Sequence, residues 1–76
     1  MSVSEAEIAI TLNGQSTALS EGATVADALR TEDIDPDDAR GMAVAVNAEV
    51  IRREEWRTTT LAAGDEVEIV TASQGG

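Results

Sequence analysis

Gly75 and Gly76, the last two residues of this 76-residue chain, are the group best suited to chemistry. Glycine has no Cβ, so a Gly-Gly end can thread a narrow channel and let another protein's backbone approach closely. A side chain beside the terminal carbonyl would obstruct an attacking nucleophile. Standing alone, the same pair is more often the mark of a frayed terminus, so its meaning depends on what precedes it. Trp56, the only aromatic residue, admits two roles. It can fill the core with its indole N–H bonded locally, or stand exposed as a docking group. The lack of any other large ring favours packing. Arg52, Arg53 and Arg57 flank Trp56 and could meet a partner's acids, Arg53 being the docking candidate among them. They could equally neutralise Glu54 and Glu55, in exposed pairs that contribute under ~1 kcal/mol.

Other chemistries lack their residues. With no cysteine and no histidine, the chain has no disulfide, thiol nucleophile, Cys/His zinc site, imidazole base or Ser/His/Asp triad. Asp35, Asp37 and Asp38 lack the central glycine and terminal glutamate of a calcium loop, and no glycine-rich phosphate loop is present. The net charge is −10, from fifteen acids against five arginines and no lysine. Nucleic acid is therefore not an expected partner, because phosphate neutralisation needs clustered cations. A basic docking face would gain association rate from this charge, which serves solubility as well. The N-terminus has neither the basic start nor the apolar run of a signal peptide, and nothing approaches the ~20 apolar residues of a membrane span. The expectation is a cytoplasmic protein, monomeric when free, with no metal and no permanently bound cofactor.

The elements that must position the tail follow from periodicity. Ile8, Ile10 and Leu12 alternate with Ala9 and Thr11 as in a half-buried strand, and Asn13-Gly14 is a strong hairpin signal. Residues 15–19 then return, with Leu19 facing Ile8 and Thr17 facing Ile10. Thr24 is a plausible helix N-cap with Asp27 three residues on, and Val25, Ala28 and Leu29 share one face. The spacing predicts a helix from Val25 to about Glu32, with Ile34 closing its apolar end before Pro36. Residues 37–41 read as a polar loop and 42–46 as a central strand covered on one face. Asn47-Ala48 reads as a turn, 49–51 as a short strand, and 52–56 as charged and irregular. After a turn at 63–65 comes a last strand, 66–72, with Val67 and Ile69 inward. Of 32 hydrophobic residues 13 are alanine, so the core is one sheet against one helix with little room for a ligand pocket. Residues 1–7 are expected to be a disordered leader, 8–72 the domain and 73–76 a flexible tail.

This order is that of the ubiquitin-like β-grasp: an α+β domain with a mixed sheet of four to five strands and one main crossing helix. Ala45-Val46-Asn47, Glu49-Val50-Ile51, Arg53 to Trp56, Leu61, Gly64-Asp65, Glu68-Ile69-Val70 and the terminal Gly75-Gly76 occur in the order found in one family. The chain resembles the sulfur-carrier proteins of thiamin biosynthesis, over roughly residues 8–76. It departs in its extra residues 1–7, in Arg52 where proline is common, and in the acidic connector 35–38; none touches the tail. The resemblance implies a protein substrate, not an enzyme. An ATP-dependent, E1-like adenylating enzyme would activate Gly76, consuming the ATP, while Gly75 threads its channel. A persulfide sulfur donor would then replace AMP, and the thiocarboxylate would deliver sulfur to thiazole synthase. The small subunit of molybdopterin synthase shares this fold and tail chemistry. That family often has proline-rich residues before its glycines, however, where Thr71-Ala72-Ser73-Gln74 stands here. A ubiquitin-like protein modifier and a pure interaction domain are further alternatives.

The charge imbalance makes the fold self-repelling. Its thermal midpoint should rise as sodium chloride screens that repulsion over a Debye length of ~10 Å at 0.1 M. A midpoint that falls with salt would show that local ion pairs dominate instead.

Overall fold

The computed structural model describes residues 6–71. Five strands form one mixed sheet: β1 (Glu7–Leu12), β2 (Gln15–Ser20), β3 (Met42–Val46), β4 (Glu49–Ile51) and β5 (Glu66–Thr71), in the spatial order β2-β1-β5-β3-β4. The last strand in sequence is thus the middle strand of the sheet. It runs parallel to β1 and antiparallel to β3.

The β1–β2 hairpin has the register its sequence predicts, with Ile8 opposite Leu19 and Ile10 opposite Thr17. Asn13 and Gly14 both take positive φ, 50° and 84°. These values match a tight turn that keeps the strands' right-handed twist. The strand begins at Glu7, and the carbonyl of Ala6 accepts from the N–H of Glu21 at 3.0 Å. Glu7, expected in the leader, is therefore part of the sheet, because hairpin pairing extends to Glu7 and Ser20. Residues 1–5 of that expected leader lie outside the described residues, as do Ala72 and the expected tail 73–76.

One α-helix, α1 (Val25–Thr31), crosses the inner face. Thr24 and Asp27 form a reciprocal capping box. The Thr24 hydroxyl accepts from the Asp27 N–H at 3.3 Å, and the Asp27 carboxylate accepts from the Thr24 N–H at 2.9 Å. At the other end Asp33 enters the left-handed region at φ 62°. The N–H groups of Asp33 and Ile34 return to the carbonyls of Arg30 and Leu29. That is a Schellman closure with aspartate where glycine is usual. Val25, Ala26, Ala28 and Leu29 are buried against Ile10, Leu12, Leu19, Val44, Trp56, Leu61 and Val67.

Two segments differ from expectation. The polar connector contains a 3₁₀ turn, Pro36–Asp38, capped by the Asp35 carboxylate on the Asp37 N–H at 3.0 Å. Residues expected to be irregular form a second, Arg53–Glu55. Its segment is anchored to the helix start: the N–H of Val25 donates to Thr59 and that of Ala26 to Trp56, at 3.0 and 2.9 Å. Two of the donors that a helix N-terminus leaves unpaired are thereby satisfied.

The β3–β4 turn places Asn47 and Ala48 at φ 53° and 71°. Alanine in that region costs about 1–2 kcal/mol, partly offset by the extra unfolded-state freedom of glycine. Ala48→Gly should therefore raise urea-unfolding stability by about 0.5–1 kcal/mol; a loss of stability would show that the turn is not strained.

Candidate functional site

The chemistry-bearing candidates Gly75 and Gly76 lie outside the described residues, so the structure bears on them through the strand that leads to them. That strand, β5, is held from both sides. Along β3 it pairs from Val46 opposite Val67 to Met42 opposite Thr71. Along β1 the backbone ladder is short, Thr11 opposite Glu66 and Leu12 opposite Val67. Two asparagines extend the ladders from the turns, each with its backbone N–H and its side-chain Oδ1. Asn13 donates its N–H to the Val67 carbonyl at 2.9 Å and accepts the Ile69 N–H on Oδ1 at 2.8 Å. Asn47 donates its N–H to the Glu66 carbonyl at 2.7 Å and accepts the Glu66 N–H on Oδ1 at 3.0 Å. Its Nδ2 also donates to Asp65 at 3.0 Å. The sequence marks Asn13 and Asn47 as turn formers only. Their second role depends on β5 lying between the two hairpins, which no local pattern reveals.

Trp56 fills the core. It is 2 % exposed, and its Nε1 donates to the Ile51 carbonyl at 2.9 Å. The docking alternative for this side chain is corrected accordingly, since an indole enclosed by helix and sheet presents no face to a partner. Arg53 lies outside it, its guanidinium 5.2 Å from the ring centroid, and donates to the Ala39 carbonyl at 2.6 Å. Arg57 pairs with Asp37 rather than with Glu54 or Glu55. The hydrogen bond and charge of Arg57 hold the Asp37 carboxyl below its ordinary value of 3.8. The pair's contribution is present at neutral pH and fades as pH falls through that lowered value. It is small, because water screens both side chains.

The outer face of the sheet is open. Val70 sits opposite Ala43, and Val50 opposite Ala45, on the face away from the helix. Val50 and Val70 are 69 % and 55 % exposed. Glu66 and Glu68 share this face by strand alternation. The result is a small apolar patch with an acidic border, beside the strand that carries the tail. Among the described residues no three acids converge as a metal site would need. No helix there is long and apolar enough to cross a membrane.

A five-stranded mixed sheet crossed by one helix, with the final strand in the middle, defines a ubiquitin-like β-grasp protein. The ThiS family model matches residues 6–76, and the chain belongs to that family. The crystal structure of a thiamine biosynthesis protein (ThiS) from Geobacter metallireducens is similar at 30 % identity and TM-score 0.74. It covers 91 % of this chain and 100 % of that one. The NMR solution structure of a Geobacter metallireducens thiamine biosynthesis protein aligns at 30 % identity and TM-score 0.70, over 91 % and 88 % of the two chains. The comparison with curated proteins found no match.

Removing the Trp56 ring would leave a large cavity and an unbonded Ile51 carbonyl. Trp56→Ala should cost about 3–5 kcal/mol in urea unfolding. Unchanged stability would contradict the packing role.

Proposed function

We propose that this protein is a sulfur carrier for thiazole formation in thiamin biosynthesis, with the Gly76 carboxylate as its working group. The observation that supports this reading best is the ThiS-family match, which runs on past the central strand of the sheet to Gly75-Gly76. The thiamine biosynthesis protein of Geobacter metallireducens, matched over its whole length, favours this reading over the molybdopterin branch.

The steps divide between the carrier and its partners. An ATP-dependent activating enzyme presents the α-phosphorus of ATP to the Gly76 carboxylate, which attacks it and releases pyrophosphate. The acyl adenylate has AMP as its leaving group, and a persulfide sulfur attacks the carbonyl and displaces it. A thiol then cleaves the sulfur–sulfur bond and leaves the thiocarboxylate on Gly76, for delivery to thiazole synthase. The chain contains no cysteine, so both the persulfide and the reducing thiol come from partners. The carrier contributes a terminal acyl group without neighbouring side chains and a surface that partners recognise. The charge of −10 favours partners with basic docking faces.

Incubation with the activating enzyme, ATP and labelled pyrophosphate should give label exchange into ATP that depends on this protein. Deleting Gly76 should abolish the exchange while the circular dichroism spectrum and melting midpoint stay unchanged. Exchange that survives the deletion would contradict the assignment of the working group.

A further inference from the structure

The two sides of β5 end differently. On the β3 side pairing continues to Thr71, whereas on the β1 side the backbone ladder ends at Val67. The Asn47 N–H bond to the Glu66 carbonyl fixes the alternation of the antiparallel ladder. The backbone groups of Glu66, Glu68 and Val70 turn toward β3, and those of Val67, Ile69 and Thr71 turn toward β1. Asn13 accounts for the Val67 carbonyl and the Ile69 N–H. The next groups in that row, the Ile69 carbonyl and the Thr71 N–H, have no partner among the described residues. A row of open backbone groups at a sheet edge is a template for another strand.

We infer that this half-edge of β5, residues 69–71, is a strand-addition site for an extended segment of the protein that activates the tail. The inference rests on the carrier reading above. One residue of a segment running parallel to β5, in line with β1, can donate to the Ile69 carbonyl and accept from the Thr71 N–H. Asn13 meets the Val67 carbonyl and the Ile69 N–H one step earlier in the same way. Glu66 and Glu68 on the open face of the same strand favour basic side chains on the incoming segment. The site lies five residues before Gly76, so pairing there sets where the tail leaves the sheet and the direction in which it enters the activating enzyme.

Thr71→Pro removes the outward N–H without removing a β3 bond, because the Thr71 backbone groups face away from β3. With the purified activating enzyme the variant should bind about three- to tenfold more weakly, the effect of one hydrogen bond. Thr71→Ala, which restores the N–H, should regain affinity relative to the proline variant. In the wild-type protein the Thr71 amide should exchange freely when alone and at least about tenfold more slowly in the complex, as hydrogen exchange by NMR reads it. A folded proline variant that binds like the wild type would overturn the inference. Should the variant fail to fold, the exchange measurement decides, and a Thr71 amide left unprotected in the complex would overturn it equally. Protection that appears in the free protein as concentration rises would assign the edge to a second copy of this chain instead. If the wild type binds the enzyme and supports pyrophosphate exchange, these failures concern the edge alone. If it does neither, the carrier reading falls first and this inference with it.

Discussion

The pairing of β5 on both sides is the constraint on which the rest of the molecule depends. It joins the β1–β2 hairpin to the β3–β4 hairpin, which are otherwise separate local structures. Without it the helix would have no continuous sheet to cover, and Val67 and Ile69 would lose their place beneath α1. The two asparagines reinforce the constraint at its weakest point. A parallel ladder of two residue pairs is short, and Asn13 adds to it the hydrogen bonds its turn would otherwise forgo. Because each asparagine also tolerates the left-handed conformation of its turn, one residue type meets two demands at each site.

The N-terminal hairpin and helix were legible because their signals are local. Alternation of Ile8, Ile10 and Leu12, the Asn13-Gly14 turn and the Thr24–Asp27 cap each sit within a few residues. The two 3₁₀ turns were not legible. Pro36–Asp38 lies in an acidic stretch that reads as solvated loop, and Arg53–Glu55 leads into Trp56 and Thr59, whose carbonyls accept from the distant start of α1. Composition biases Trp56 toward burial without deciding it. What settles it is the enclosure of the ring by helix and sheet, with the Ile51 carbonyl placed to receive its N–H. No local pattern marks the open patch of Val50 and Val70, because it needs the register of three strands, which brings each valine opposite an alanine of β3. Of the proposed site, the terminal glycines were visible from sequence, whereas the asparagine staples on the strand leading to them needed the topology.

A domain this small separates recognition from chemistry. Its core is filled by the helix, the inward side chains of the sheet and one ring. The apolar patch with its acidic border and the open half-edge of β5 both adjoin the strand that leads to the terminal glycines. In the proposed role the energy for acyl activation comes from ATP on the partner, and the thiols from other proteins. The carrier's own task is to be recognised and to present an unobstructed carboxylate.

The most direct measurement of that role is the position of the sulfur. After incubation with the activating enzyme, ATP and a persulfide donor, intact-mass spectrometry should show one oxygen of the chain replaced by one sulfur. Tandem fragmentation should confine the change to Gly76. An unchanged mass with active partners, or a sulfur located anywhere other than Gly76, would contradict the account.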